Sequence, residues 1–367
     1  MKPTGKVRVL MVEDSEVIRI LLSHLIECDP RLELVGTAVS GEQAIPLLHH
    51  LAPDVISMDI RLPGMNGFET TRRIMSERPT PIVVIASAFE DDTLDLSMNA
   101  LRAGALSVVE KPVGTRHADY ERMADQICTQ LYIMSQVKVV RQRFGRDEMT
   151  SSRSQPRAVN QFTEFTESMP PLAPEVKSSD RILGVVASTG GPNALVKVLG
   201  ALPSNFPLPV CVVQHIGADF VTGFSSWLDG LVPLPVSIAR HGEFPLPGHI
   251  YVAGANVHLR VGMDGLLSLH HDRPVSAQRP SGTILFESMA ASLGSRGIGV
   301  LLTGMGDDGA RGLLAMRKAG GYTIAEDAST AVVYGMPAAA VQLDAVTTLL
   351  PLDAITPKLL QILNINK

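Results

Sequence analysis

Residues 7–113 alternate between short apolar runs and amphipathic stretches of helical period. Apolar runs of this length are typical of strands buried on both faces, and strands that alternate with helices indicate a doubly wound parallel sheet. The predicted strands are Val7–Val12, Leu32–Ala38, Val55–Met58, Ile82–Ala86 and Ser107–Val109. The predicted helices are Glu16–Glu27, Glu42–Leu51, Phe68–Ser76, Thr93–Arg102 and a longer one from about Tyr120 to Arg143.

A change of composition separates this region from the rest of the chain. Residues 145–180 are rich in Ser, Thr, Pro, Glu and Gln, which predicts an extended, mobile linker. The alternation of strands and helices resumes at Arg181, and the last predicted helix is Leu349–Leu363. We therefore expect an α/β protein with two doubly wound parallel-sheet domains. The predicted parts are a domain at 6–125 whose last helix extends to about 143, a linker at 144–180 and a second domain at 181–367.

Composition narrows the class of protein. Apolar residues make up 45% of the chain and aromatic residues only 4%, so Val, Ile, Leu and Ala must build the cores. A net charge of −5 without a basic block argues against nucleic acid or an anionic membrane as the main partner. Cys28, Cys128 and Cys211 are too far apart to suggest a metal site or a disulfide framework. With no signal peptide and no membrane-spanning run, we expect a cytoplasmic protein without membrane insertion.

Acidic residues gather at the strand ends of the first domain. Glu13 and Asp14 follow the first strand and Asp59 follows the third, so three carboxylates meet at one edge of the sheet. Such a group favours a hard cation, and Mg²⁺ prefers oxygen ligands. Ser87 follows the fourth strand and Lys111 the fifth, where a hydroxyl and an ammonium group can hold phosphoryl oxygens. The alternative is that these are solvated loop residues. Because all five positions match the pattern together, that alternative is a poor explanation.

Three further strand ends carry a serine, a histidine and an aspartate. Ser188 follows the apolar run Ile182–Val186, His215 follows Val210–Val213, and the pair Asp307 and Asp308 follows Gly299–Leu302. Sites in open α/β sheets form at this edge, and the three residue types are those of a nucleophilic triad. Spacing does not choose between the two aspartates. A lone histidine at a strand end is also more often a structural residue.

The turn after Ser188 adds a possible anion site. Glycines at 190 and 191 allow close approach of the backbone, and Pro192 suits the first position of a helix that extends to Leu199. Free N–H groups at such a helix start bind oxyanions, which makes Thr189 and Gly190 candidate donors. Glycine-rich turns also bind phosphates or only pack tightly.

The first domain resembles the receiver domain of bacterial response regulators. The matching motifs are Val12-Glu13-Asp14-Ser15, Met58-Asp59, Leu62-Pro63-Gly64-Met65-Asn66-Gly67, Ala86-Ser87 and Lys111-Pro112. The resemblance implies a flavodoxin-like fold for this domain and phosphorylation of Asp59 by a histidine kinase. It also implies that Glu13, Asp14 and Asp59 bind Mg²⁺ together with the backbone carbonyl of Arg61. Glu13 stands where receivers commonly have a second aspartate.

The second domain resembles the catalytic domain of chemotaxis protein-glutamate methylesterases. The matching segments are Ala187–Pro192, Gln214-His215 with Phe220, Leu246–Tyr251, Arg279-Pro280-Ser281, Leu302–Ala310 and Val333–Pro337. The resemblance implies a triad of Ser188, His215 and Asp308, because the catalytic acid directly precedes the glycine. It also implies that Met305 lines the site and helps the oxyanion. The departures from the usual pattern are Val186 for Gly, Asp307 for Asn, and Gly217-Ala218 for prolines.

The resemblance implies a phosphorylation-activated esterase that demethylates glutamyl γ-methyl esters on chemotaxis receptors and deamidates receptor glutamines. The esterase chemistry is expected to need no cofactor. Two alternatives stay open at this point. One is a non-catalytic response regulator whose second domain only binds a protein, and the other is a general serine hydrolase or peptidase.

Overall fold

The computed structural model describes residues 5–86, 98–112, 120–137, 139 and 181–365, apart from the side chain of Arg122. The predicted linker at 144–180 lies outside the described residues. Two parallel sheets, each covered by helices, organise the described chain, so the predicted fold class is confirmed. None of the described helices is both long enough and apolar enough to span a membrane.

The first sheet has the strand order β2-β1-β3-β4-β5, and every neighbouring pair is parallel. The strands are β1 (Val7–Val12), β2 (Leu32–Ala38), β3 (Val55–Met58), β4 (Ile82–Ala86) and β5 (Ser107–Glu110). The helices are α1 (Glu16–Cys28), α2 (Gly41–Leu51), α3 (Gly67–Glu77) and α4 (Tyr120–Met134). Residues 98–102 are also helical, which matches the described part of the predicted helix at Thr93–Arg102.

Helix α4 is shorter than the sequence predicts. It ends at Met134 rather than continuing towards Arg143, and residues 135–137 form a turn. The hydroxyl of Ser135 donates to the Tyr132 carbonyl at 2.7 Å, and the N–H groups of Gln136 and Val137 bond three residues back instead of four. These local bonds satisfy the last carbonyls and end the α-helix.

The second sheet has the strand order β14-β13-β12-β6-β7-β9-β8, again with parallel neighbours throughout. Its strands are β6 (Ile182–Ala187), β7 (Val210–Gln214), β8 (Val236–Ile238), β9 (Ile250–Val252), β12 (Gly297–Leu301), β13 (Tyr322–Glu326) and β14 (Thr348–Leu350). The helices are α5 (Gly191–Gly200), α6 (Val221–Asp229), α7 (Gly282–Leu293), α8 (Ala310–Lys318), α9 (Met336–Gln342) and α10 (Leu352–Ile362).

Regular alternation fails in the middle of this domain. No helix lies between β8 and β9 in the described structure, and an antiparallel hairpin of β10 (His258–Val261) and β11 (Leu267–His270) follows them. The segment between β8 and β9 contains Pro245, Pro247 and Gly248. These residues disfavour a helix, so the chain crosses between adjacent strands as an irregular connection.

The strand order explains how the predicted site residues meet. Strands β12, β6 and β7 are central neighbours, and their carboxyl ends lie at the same edge of the sheet. The serine, histidine and aspartate loops follow these three strands. The order in which strands are added to the sheet reverses at β6, and in a doubly wound sheet such a reversal opens a crevice at the carboxyl edge.

Candidate active site

Ser188 starts a tight turn between β6 and α5. Its backbone N–H donates to the Thr303 carbonyl at 3.0 Å, and its own carbonyl accepts from the Gly191 N–H at 2.8 Å. Gly190 precedes the helix with φ of 79°, in the left-handed region that other residues rarely adopt. A Cβ at this position would also lie 2.6 Å from Val332 Cβ. The turn therefore needs a glycine to present Ser188 at the sheet edge.

His215 lies directly after β7 and is anchored to the neighbouring strand. Its backbone N–H donates to the Ala187 carbonyl at 3.1 Å. The imidazole is 7% exposed, and its Nε2 lies 2.9 Å from Asp308 Oδ2. Its Nδ1 is buried and has no hydrogen-bond partner in the described structure. With a hydrogen on Nε2 donated to the carboxylate, the Nδ1 lone pair remains available as a base.

Asp308 is a buried carboxylate held by four donors. Oδ1 accepts from the Ser281 hydroxyl at 2.6 Å and from the Thr283 N–H at 3.1 Å, while Oδ2 accepts from the Gly282 N–H at 2.6 Å and from His215. Three of these donors belong to the N-terminus of α7, where a negative charge is favoured. Burial raises the pKa of Asp308, but the bonds from His215, Ser281 and Gly282 outweigh it and lower that pKa to about 2. The carboxylate stays ionised throughout the physiological range.

The two neighbouring aspartates differ in their surroundings. Asp307 is exposed, whereas Asp308 is 2% exposed and contacts the imidazole. Among the sequence-predicted residues, the structure joins His215 to Asp308 directly. It brings Ser188 to the same strand edge without a hydrogen bond to His215. Catalytic hydrogen bonds are often loose before substrate binds.

Candidate oxyanion donors line the turn after the serine. No described residue accepts a hydrogen bond from the backbone N–H groups of Thr189, Gly190 or Met305. The Thr189 carbonyl accepts a hydrogen bond from the Thr303 hydroxyl at 2.9 Å. Met305 is 45% exposed beside the site, so its side chain is available for contact with a substrate.

Several residues that support the site carried no role in the sequence analysis. Ser281 stood in a matching motif, but only the structure shows its hydroxyl on Asp308. Thr303 and Thr283 were not singled out either, and the Thr283 hydroxyl accepts the Gly309 N–H at 2.8 Å. A polar residue just before an amphipathic stretch is a recognisable helix cap. Which loop such a cap faces cannot be read from the sequence.

Val186, one of the departures from the family pattern, fits its surroundings. It is fully buried in β6 beside Gly282, where a Cβ on the glycine would overlap the valine side chain. The glycine at the start of α7 thus leaves the space that Val186 fills. This close approach keeps the Asp308-binding helix terminus against the strand that carries Ser188.

The carboxylates predicted for the first domain also come together. Ligand oxygens of Glu13, Asp14 and Asp59 lie within 4.8 Å of one another. Lys111 Nζ lies 2.9 Å from Glu13 Oε2 and 2.8 Å from Asp59 Oδ2. Burial and the Asp59 carboxylate raise the pKa of Glu13 to about 7, and burial raises that of Asp59 although Lys111 opposes it. Glu13 and Asp59 are buried and Asp14 is exposed, and such a group of three carboxylates fits a divalent cation. Ser87 lies outside the described residues.

The first domain packs against the turn that carries Ser188. Gln130 Nε2, on α4, donates to Thr189 Oγ1 at 3.3 Å, and Asn193 Nδ2 donates to the Leu101 carbonyl at 3.1 Å. Val332 and Val333 pack against the apolar cluster that includes α4. The contact surface of the first domain therefore reaches the residue next to the candidate nucleophile.

Both domains are similar to known proteins. Residues 183–359 match the CheB methylesterase family, and residues 9–119 match the response regulator receiver domain family. A protein named protein-glutamate methylesterase/protein-glutamine glutaminase 2, from Paramagnetospirillum magneticum, is 52% identical over 96% of this chain and 97% of its own length. A protein named protein-glutamate methylesterase/protein-glutamine glutaminase 1, from Syntrophus aciditrophicus, is 41% identical over 97% and 98%. The solved catalytic domain of Thermotoga maritima CheB methylesterase is 34% identical, covers 50% of this chain and 98% of that one, and has a TM-score of 0.48.

Proposed function

This chain belongs to the CheB methylesterase family and carries a response regulator receiver domain ahead of the esterase domain, and on that premise we propose that Ser188, His215 and Asp308 are its catalytic residues. The chain is a phosphorylation-regulated protein-glutamate methylesterase and protein-glutamine glutaminase. A non-catalytic output domain is not favoured. The observation that carries the residue assignment is the bond between Asp308 and His215 Nε2, which leaves Nδ1 unpaired beside the Ser188 turn.

The residues suit a two-step acyl transfer. His215 Nδ1 accepts the proton of the Ser188 hydroxyl as the serine oxygen attacks the ester carbonyl, while Asp308 stabilises the imidazolium through Nε2–H. The free N–H of Thr189, the residue after the nucleophile, suits the developing oxyanion. His215 then returns the proton to the departing methoxy oxygen, and methanol leaves. Water, deprotonated by the same nitrogen, then attacks the glutamyl ester of Ser188, and His215 returns that proton to the departing serine oxygen, which releases the glutamate side chain and restores Ser188.

Deamidation uses the same groups on a glutamine side chain. Attack on the amide carbonyl gives the same acyl intermediate, with ammonia instead of methanol as the leaving group. His215 must protonate the poorer nitrogen leaving group, so we expect deamidation to depend more strongly on its proton transfer.

We further propose that the receiver domain inhibits the resting enzyme by covering the Ser188 turn. The contact of Gln130 with Thr189 supports this, because a receptor helix is too bulky to reach Ser188 while the receiver lies there. Phosphorylation of Asp59 by a histidine kinase replaces the carboxylate charge with a phosphoryl group that carries about two negative charges beside Lys111, with Ser87 as a second phosphoryl-binding residue. Lys111 then pairs with phosphoryl oxygens instead of the Asp59 carboxylate, and in this proposal that change releases the receiver from the Ser188 turn.

The acidic cluster supports a requirement for Mg²⁺ in that phosphorylation. Glu13, Asp14 and Asp59, with the Arg61 carbonyl, would hold the ion, which when bound neutralises the carboxylates and the incoming phosphoryl oxygens. The substrates in this proposal are the methylated cytoplasmic helices of chemotaxis receptors.

The test is release of labelled methanol from methylated receptors by the phosphorylated full-length chain. We expect the parent to release methanol and Ser188→Ala to lose activity by several orders of magnitude while keeping its circular dichroism spectrum and melting temperature. Near-normal methanol release by a folded Ser188→Ala protein would remove the assignment.

A further inference from the structure

Gln214, the last residue of β7, links the two residues proposed to exchange a proton. Its side chain is 5% exposed, and its Nε2 donates to the Ser188 carbonyl at 2.9 Å and to the His215 carbonyl at 2.8 Å. Both partners are acceptors, so only the NH₂ end of the amide can face them. One side chain thus bonds the backbones of the proposed nucleophile and the proposed base.

The bond to Ser188 also determines where the next N–H points. In a trans peptide the C=O and the following N–H point in opposite directions. The Ser188 carbonyl is fixed by Gln214 and by the Gly191 N–H. The Thr189 N–H, on the other side of the same peptide plane, therefore points away from Gln214, and no described residue accepts its hydrogen bond.

We propose that Gln214 is a positioning residue for the esterase reaction, which holds the Ser188–Thr189 peptide so that its N–H faces the oxyanion and ties that peptide to the backbone of His215. The inference rests on the proposed function, since it assigns a role to a residue that acts through Ser188, Thr189 and His215. Gln214 touches neither substrate nor reacting atoms in this account. Its contribution is to hold the Ser188–Thr189 peptide and His215 in position.

Gly191 provides an independent route to the same contact. A Cβ at Gly191 would overlap Gln214 Oε1 and lie 2.8 Å from Ala187 Cβ, although the backbone of Gly191 does not have the positive φ that demands glycine. Gly191→Ala is therefore expected to displace the Gln214 amide, and to press on the end of β6, without removing any polar group. The Oε1 atom itself is buried without a hydrogen-bond partner in the described structure, and burying it this way costs folding free energy. The two hydrogen bonds that Nε2 donates must offset this cost.

The experiment uses Gln214→Glu, Gln214→Met and Gly191→Ala in the full-length chain, activated with a phosphodonor. For each we expect kcat for methanol release to fall by about tenfold to a hundredfold, with KM for methylated receptor changed by less than about twofold. Inactivation of Ser188 by a small fluorophosphonate should slow by a similar factor, because this reaction also needs the oxyanion donor and does not involve receptor binding.

The pH dependence separates positioning from a merely structural role. In Gln214→Glu, a neutral carboxyl group still has one O–H to donate, whereas an ionised carboxylate places negative charge against two carbonyl oxygens. The rate of Gln214→Glu relative to the parent should therefore be highest at low pH and fall as the pH rises. The relative rate of Gln214→Met should be constant, since methionine does not titrate.

Thr356→Val is the matched control. The Thr356 hydroxyl is buried and donates to the Val198 carbonyl at 2.7 Å, so the substitution removes a comparable side-chain-to-backbone bond away from the site. It should lower the melting temperature and leave kcat and labelling unchanged. Parental kcat in Gln214→Met, or losses that only follow melting temperature as in Thr356→Val, would overturn the inference. Full activity of Ser188→Ala would instead overturn the proposed function.

Discussion

Replacement of Asp308 by asparagine distinguishes the roles of Asp307 and Asp308. It tests the site through both the rate of methanol release and the stability of the fold. The amide offers one oxygen where the carboxylate offers two, so an NH₂ group must face either His215 or the donors of α7. If it faces His215, the imidazole must carry its hydrogen on Nδ1, and the base is lost. If it faces α7, the N–H of Thr283 loses its acceptor.

The magnitude follows from the bonds and the pKa. A mis-set tautomer at this position in a triad costs about ten-thousandfold in kcat, so we expect a loss of about a thousandfold to ten-thousandfold. Lowering the Asp308 pKa from 3.8 to about 2 corresponds to about 2 kcal/mol of folding free energy. Because the folded pKa is depressed, this stabilisation is complete above the unfolded pKa and is lost as the pH falls through about 2.

The assay pairs methanol release with thermal unfolding of the phosphorylated full-length chain near neutral pH. Asp308→Asn should lower the melting temperature of the esterase domain by about 4–8 °C. The control is Asp307→Asn, which keeps the same chemistry at an exposed neighbour and should change stability by less than about 0.5 kcal/mol. Equal losses of kcat in both variants, or a larger loss at Asp307, would refute the reasoning.

Further predictions concern regulation. Gln130→Ala should raise the resting rate of methanol release several-fold and leave the phosphorylated rate unchanged, because it removes the receiver's contact with Thr189. The fragment 181–367 should exceed the resting full-length rate and ignore a phosphodonor; a rate at or below rest would favour direct assistance by the receiver. Mg²⁺ affinity, measured by calorimetry, should rise with pH up to about 7 and then level off, because Glu13 must be deprotonated to bind. A flat profile, or one unchanged in Glu13→Gln, would contradict this.

The strands were predictable chiefly where their residues are buried. Val7–Val12, Leu32–Ala38, Val55–Met58 and Ile82–Ala86 match the predicted bounds. All or nearly all residues of the first, third and fourth of these strands are buried, whereas Leu32–Ala38 is buried only at its two ends. Gln214 ends the observed β7 but lies outside its predicted apolar run, since a polar side chain there is satisfied only by contacts from other loops. Periodicity alone does not give the strand order, because that order depends on long-range packing that no local pattern records. The order of the first sheet, β2-β1-β3-β4-β5, is the one that a flavodoxin-like fold implies.

The candidate residues were predictable as residue types at strand ends, but not as a geometry. That Asp308 is buried, while the adjacent Asp307 is exposed, depends on how α7 approaches the loop. The role of Ser281 depends on the same approach. Sequence periodicity cannot predict the orientation of the His215 imidazole. In the structure, Nε2 rather than Nδ1 lies against the Asp308 carboxylate.

The most direct test of the account is detection of the acyl intermediate on Ser188. The phosphorylated chain is mixed with a receptor peptide that carries a glutamyl γ-methyl ester, quenched in acid within milliseconds, digested and analysed by mass spectrometry. The account predicts that the peptide containing Ser188 gains the mass of the receptor peptide less methanol, and that this adduct disappears in step with further methanol release. Turnover without an adduct at any quench time, or an adduct on another residue, would contradict it.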